Sequence, residues 1–179
     1  MSILDTRRSI RTYLDKDVPN EIIEKIMNET IKAPSGKNTQ PWKYLIIRDE
    51  ETKKKIVEID NNQTWMLEAP VFIVCLADAS VRFDDVAEVD FRDDSSDFVF
   101  KQLIRDSSIG ITYLLLAIEQ NGLGACWTAW YDHNEMKDVL NVPEHMYVSG
   151  VVTLGYANQK PVARPRVKLE DVLMYDEIK

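Results

Sequence analysis

The chain has 179 residues, of which 45% are hydrophobic and 29% charged, and its formal net charge at pH 7 is -8. These fractions are ordinary for a globular protein, and the acidic balance argues against nonspecific binding to the phosphate backbone of nucleic acids. No apolar run approaches the roughly 20 residues of a membrane-spanning helix, and no secretory signal pattern follows the first residues. We therefore expect one domain over residues 1–179 and a cytoplasmic location.

Helical and strand patterns are intermixed along the chain. A capping box at Ser2–Asp5 predicts a short helix that ends at the first arginines, and Pro19 begins a second helix that Pro34 stops. The later patterns predict strands at 42–47, 71–76, 125–130 and 147–156, and helices at 50–59, about 98–120 and just before Pro143. Because no regular strand–helix repeat is present, the fold class we expect is α+β, a three-layer α-β-α sandwich.

Three arginines, Arg7, Arg8 and Arg11, stand close together at the start of this acidic chain. Guanidinium groups at such spacing repel one another unless an anion, an acidic partner or solvent compensates their charge. A bound phosphate is the simplest compensator, and a solvated basic face at the end of a short helix is the alternative. Arg164 and Arg166 add positive charge near the C-terminus.

A polar loop joins the second predicted helix to the first predicted strand, from Pro34 to Trp42. Its two prolines restrict the backbone, and Ser35, Asn38 and Gln40 carry groups that can hydrogen-bond the edge of a heterocycle. The alternative is a plain helix-to-strand connection that proline stiffens.

Familiar catalytic and metal-binding patterns are missing from the sequence. His133 and His145 have no cysteine or carboxylate cluster at ligand spacing, so we expect both to be solvent-exposed and no zinc site to form. Cys75 and Cys126 are expected to be reduced thiols in the core. Trp127 stands where a dinucleotide fingerprint beginning at Gly122 requires its third glycine. If the chain is an enzyme, its difficult chemistry belongs to a bound cofactor.

Four short motifs follow one another along the chain. They are Arg-Arg-Ser-x-Arg at 7–11, Pro-Ser-x-x-Asn-x-Gln-Pro-Trp at 34–42, Gly-Leu-Gly-x-Cys-Trp at 122–127 and Arg-Pro-Arg at 164–166. In order and spacing the chain resembles the nitroreductase family of flavin enzymes. The resemblance implies a mostly antiparallel sheet flanked by helices, in an intertwined homodimer that holds FMN between its subunits. It also implies hydride transfer from NAD(P)H through flavin N5 to nitroaromatic, quinone or related small acceptors, with ping-pong kinetics.

The same resemblance assigns cofactor contacts to particular residues. Arg7, Arg8, Ser9 and Arg11 would lie along the FMN phosphate, ribityl chain and pyrimidine edge, with Arg164 and Arg166 at the phosphate. Pro34, Ser35, Gly36, Asn38 and Gln40 would approach the flavin, the Pro-Ser part reaching in from the partner subunit. Asn62 would be a polar flavin contact, and Trp127, Thr128 and Ala129 would run past the isoalloxazine. Arg11 is the candidate for stabilising negative charge on reduced flavin, and no side chain is expected to act as a nucleophile.

The chain departs from the family pattern in two places. Trp65 stands where some relatives carry a basic residue near the flavin pyrimidine, which alters the expected charge balance. Ala129 and Trp130 stand where family members often have glycines, which predicts a narrower substrate pocket.

Several alternatives stay open from the sequence. The acidic segment Asp84–Asp97 is either a solvated loop anchored by Phe91 and Phe98 or a mobile lid that selects uncharged or cationic substrates. The whole chain could instead be a flavin- or anion-binding module without turnover, a plain dimeric interaction protein, or a family relative with dehalogenase or flavin-degrading activity.

Overall fold

The computed structural model describes residues 2–82, 89–92 and 94–178. In chain order its elements are α1 (Ile3–Thr6), α2 (Asn20–Thr30), β1 (Trp42–Ile47), α3 (Glu50–Ile59), β2 (Val71–Asp78), α4 (Phe98–Gln120), β3 (Gly124–Thr128), α5 (His133–Leu140) and β4 (Met146–Gly155). The predicted bounds of β1, α3 and α4 are confirmed. β3 ends at Thr128, short of the predicted end, and the carbonyl of Trp130 accepts a hydrogen bond from the Asn61 side chain instead of a strand neighbour.

The strands form one sheet in the order β1-β2-β4-β3, and each neighbouring pair is antiparallel. Every residue of the central strand β2 is buried, as its unbroken apolar run predicts for a strand covered on both faces. Apolar residues of α2 and α4 form a core cluster with one face of the sheet, and residues of α3 and α5 form another with the opposite face. The predicted α+β three-layer sandwich is therefore confirmed.

Gly150 in β4 makes room for the indole of Trp127 in β3. A β-carbon built on Gly150 would overlap the indole Nε1 atom, so an alanine there must displace the ring. We expect Gly150→Ala to lower the free energy of unfolding by about 1–3 kcal/mol, measured by urea denaturation, because overpacking forces neighbouring side chains to shift. In a Trp127→Ala background the same substitution should cost far less, and an equal cost in both backgrounds would contradict the proposed overlap.

The prediction that both histidines are exposed is wrong for His133. This side chain is buried and stacks on the ring of Tyr147 with 4.3 Å between centroids, because α5 lies against the sheet. Cys75 and Cys126 are buried free thiols, as predicted, and burial raises the pKa of both. Among the described helices, none has the length and apolar character needed to cross a membrane.

Candidate functional site

The N-terminal segment and the segment after β4 run side by side. The amide N–H of Ile10 donates to the carbonyl of Ala125 at 2.9 Å, and that of Leu14 donates to the carbonyl of Tyr156 at 2.9 Å. Beyond these pairs, the N–H of Asn158 donates to the carbonyl of Thr12 at 2.9 Å. These backbone hydrogen bonds hold the arginine-containing stretches from the two ends of the chain together.

A pocket of about 380 Å³, the arginine pocket, opens where these stretches meet. Its lining consists of Arg7, Arg8, Ser9, Arg11, Gln159, Pro161, Val162, Arg164 and Arg166. The lining contains every arginine predicted to bind phosphate and no carboxylate. Within the part of the chain that the structure describes, none of these arginines forms an ion pair. The Nε atom of Arg8 is also buried without a hydrogen-bond partner.

Trp65 holds the Arg11 side chain. The Arg11 guanidinium lies over the Trp65 ring, 5.5 Å from its centroid, and the Trp65 Nε1–H donates to the side-chain oxygen of Gln63 at 3.3 Å. A cation–π contact of this kind contributes about 0.5–1 kcal/mol at an exposed position. Trp65 therefore brings no charge of its own to this position, but it helps to hold the positive charge of Arg11 in place.

A buried network connects the turn after α3 to the end of β3. The carboxylate of Asp60, which is fully buried, accepts hydrogen bonds from the Thr128 hydroxyl at 2.7 Å and from the Gln63 amide at 3.0 Å. The Gln63 amide also donates to the Thr128 hydroxyl at 2.8 Å. The predicted site residue Thr128 thus belongs to this network, whereas the Asn62 side chain is exposed on the turn after α3.

Sequence reasoning missed Asp60 and Gln63. The usable signal was the pair Asn61–Asn62 after a helix, because asparagine tolerates left-handed backbone and both residues adopt it, with φ of 51° and 53°. At the end of β3, the Trp127 side chain is 37% exposed, and Ala129 and Trp130 are exposed beyond the strand.

The loop predicted to touch the flavin lies elsewhere in the same subunit. Gly36, Lys37 and Thr39 line a second pocket of about 530 Å³, together with Val81, Arg82, Phe98, Gln102, Arg105 and Asp106. This second pocket shares no lining residue with the arginine pocket. Within the loop, the N–H of Gln40 donates to the Ser35 hydroxyl at 2.9 Å, and Pro34 is exposed. One subunit therefore does not bring the loop and the arginines together in one pocket.

Much of the acidic segment Asp84–Asp97 lies outside the described residues, which omit 83–88 and 93. Phe91 makes an edge-to-face contact with Phe100 at 5.7 Å and so anchors the described part. Phe98 is 69% exposed and lines the second pocket. The two interpretations of this acidic segment, a mobile lid and a solvated loop, both stay predictions.

The buried side chain of Tyr13 anchors the N-terminal segment. Its buried hydroxyl is bonded to the Ile10 carbonyl and the Thr153 hydroxyl, both at 2.7 Å, and burial raises the pKa of Tyr13 well above its usual range. Between about pH 10 and pH 12 the unfolded chain loses this proton while the folded chain keeps it, so stability falls as pH rises.

We expect Tyr13→Phe to reduce the slope of the free energy of unfolding against pH in that range by up to about 1.4 kcal/mol per pH unit. Urea denaturation at a series of pH values measures the slope. Tyr44→Phe is a positive control. Burial also raises the pKa of Tyr44, so removal of its hydroxyl should reduce the slope similarly. An unchanged slope in Tyr13→Phe would contradict the assignment.

Comparison with known proteins decides the family. A model of the nitroreductase family matches residues 4–63 and 58–156. The chain belongs to the nitroreductase family. The prediction made from the four motifs is confirmed.

The chain is similar to an NADH dehydrogenase of Thermus thermophilus, with 30% identity over 94% of this chain and 92% of the relative. It is 29% identical to an FMN reductase [NAD(P)H] of Bacillus subtilis, over 94% of this chain and 70% of the relative. Among solved structures, NfrA1 of Bacillus megaterium is 27% identical and superposes with a TM-score of 0.86, covering 99% of this chain and 74% of NfrA1.

Proposed function

We propose that this protein is an FMN-dependent oxidoreductase that transfers hydride from NAD(P)H to small oxidised acceptors such as nitroaromatics or quinones. Family membership supports the oxidoreductase class. The similarity to an NADH dehydrogenase and to an FMN reductase supports the use of a nicotinamide and a flavin. The observation that carries the proposal is the arginine pocket, whose cations have no acidic partner among the described residues.

The pocket's donors fit a phosphate monoester. Such a group carries about 1.5 to 2 negative charges at pH 7 and three strong acceptor oxygens, which suits several converging guanidinium groups. Arg8, whose Nε atom has no hydrogen-bond partner among the described residues, lines this pocket. Arg7, Arg8, Arg164 and Arg166 would hold the phosphate, and Ser9 and Arg11 would lie along the ribityl chain and the ring edge.

FMN, when bound, would supply the hydride chemistry between NAD(P)H and the acceptor. The protein binds the cofactor and the reactants and orients them. Arg11, which Trp65 holds in place, provides a fixed positive charge that stabilises negative charge developing beside it. The Asp60 network fixes Thr128, and with it the backbone of residues 127–129, at the edge of the site. Because donor and acceptor would use the same exposed site in turn, we expect ping-pong kinetics.

We further propose that the protein works as an intertwined homodimer. The segment after β4 exposes a series of large apolar side chains, Val162, Val167, Leu169, Val172, Leu173, Met174 and Tyr175. Exposed apolar surface concentrated in one segment marks an interaction site. A second copy of the chain that covers this segment would also explain why the 34–40 loop lies away from its own arginine pocket, since the loop would then serve the partner's flavin.

Absorbance and turnover test the proposal together. We expect the purified protein, supplied with FMN, to show flavin bands near roughly 370 and 450 nm and to oxidise NAD(P)H when menadione or a nitroaromatic is added. Bound flavin without turnover would favour a binding module, and failure to bind FMN would overturn the proposal. Parallel double-reciprocal plots at varied acceptor concentrations would support the ping-pong scheme.

A further inference from the structure

The 34–40 loop has an unfavourable backbone conformation. Lys37, Asn38 and Gln40 all adopt left-handed dihedral angles, with φ of 53°, 56° and 50°. Lysine and glutamine rarely adopt this conformation, because the β-carbon approaches the following carbonyl oxygen. Such a backbone persists only where surrounding contacts determine it, and strained segments of this kind cluster at functional sites.

Arg82, at the end of the turn after β2, supplies those contacts. Its Nε–H donates to the Thr39 hydroxyl at 2.8 Å, and an Nη2–H donates to the Gly36 carbonyl at 3.1 Å. An Nη1–H donates to the side-chain oxygen of Gln102 on α4 at 2.6 Å. Arg82 therefore connects Gly36 and Thr39, which flank Lys37 and Asn38, to the long helix.

Asp106 on α4 completes the arrangement. Its carboxylate forms an ion pair with Arg82 and accepts from the N–H of Gly36 at 3.2 and 3.3 Å. The Arg82 and Asp106 side chains are only 8% and 10% exposed. Removing one partner of a buried ion pair leaves an uncompensated charge, so the two residues act as a unit.

Gly36 lets Arg82 lie directly against the loop. A β-carbon on Gly36 would lie 2.8 Å from the Arg82 Nη2 atom, so any side chain there requires the guanidinium to shift. Glycine at this position thus leaves room for the Arg82 guanidinium, and a bulkier residue would push the guanidinium away.

We infer that Arg82 and Asp106 form a clamp that positions residues 36–40 for contact with the FMN bound by the partner subunit. Neither residue lines the arginine pocket, so both act through the loop and are positioning residues. The inference rests on the proposed function, because the ligand of the loop is the flavin proposed above.

The first test compares ligands. We expect Arg82→Gln to raise the Kd for FMN about 10- to 100-fold and the Kd for riboflavin by the same factor, because the clamp acts on the loop and not on the phosphate. Arg48→Gln is the matched control. Arg48 also bonds a carboxylate and a backbone carbonyl, those of Asp17 and Val18, but it does not line either pocket. We expect Arg48→Gln to leave both affinities unchanged.

A charge-free variant separates positioning from folding. Arg82→Met/Asp106→Leu removes both partners, so no buried charge is left unpaired. We expect this variant to keep its circular dichroism spectrum and its oligomeric state while binding FMN and riboflavin as weakly as Arg82→Gln. FMN binding at the affinity of the unmodified protein would overturn the inference alone. Failure of the unmodified protein to bind FMN would overturn the proposed function as well.

Mixed dimers test which subunit the loop serves. One subunit carries Arg82→Gln and the other carries Arg164→Ala/Arg166→Ala, so one site combines an intact loop with intact arginines only if the loop crosses to the partner. We expect the mixed dimer to bind one FMN with unmodified affinity, although neither parent homodimer does so. Absence of that site would show that the loop serves its own subunit and would overturn the inference.

Discussion

Replacing Arg164 and Arg166 together with alanine is expected to weaken FMN binding by about 10²- to 10⁴-fold. Each charge-assisted hydrogen bond contributes about 1.5–3 kcal/mol, and the two arginines line a pocket in which no carboxylate would be left unpaired by their loss. Quenching of flavin fluorescence, titrated on flavin-free protein, measures the Kd.

Riboflavin is the decisive comparison for this pair of arginines. It has the ring and ribityl chain of FMN but no phosphate, so we expect its affinity for the double variant to stay within about threefold of the original. Lys54→Ala/Lys55→Ala removes the same net charge from α3 and should leave FMN binding unchanged, since neither lysine lines the pocket. Equal losses for FMN and riboflavin would contradict the phosphate assignment, in contrast to the equal losses expected for Arg82→Gln.

Replacing apolar residues of the segment after β4, the tail, with serine is expected to convert the proposed dimer to a monomer. The variant carries Val167→Ser, Leu169→Ser, Val172→Ser and Leu173→Ser. Full burial of one such side chain contributes about 1.5–3 kcal/mol, so the loss of four from each subunit should raise the dimer Kd by at least about 10⁴-fold. Sedimentation equilibrium should then give the 20.7 kDa mass of one chain in place of twice that mass.

Charged neighbours in the same tail provide the control. Lys168→Ser/Glu170→Ser/Asp171→Ser changes the same segment without removing apolar surface, and we expect it to remain a dimer. The monomeric variant keeps Arg164 and Arg166 but should lose flavin affinity, because its sites would lack the partner's loop. A tail variant that stays dimeric would show that other surfaces hold the subunits together.

Several elements were predictable because their causes are local. The capping box at Ser2 and the strand pattern at 42–47 depend on neighbours within a few residues, and both occur in the structure as predicted. The arginine motifs were also visible, because clustered positive charge in an acidic chain is a property of the sequence. His133 was predicted wrongly, because its burial depends on Tyr147 in another element.

The sequence by itself determined the three layers, the nitroreductase family and which cations are available to bind a phosphate. The family resemblance already implied that residues 7–11 and 164–166 meet, and the structure places them in one pocket. Only the tertiary structure decided that Asp60 holds Thr128 and that Arg82 and Asp106 fix a loop distant in sequence. The physical reason is the range of the interactions. Caps, turns and hydrophobic periodicity act between near neighbours, whereas buried ion pairs and shared pockets join residues that only the folded chain brings within hydrogen-bond distance.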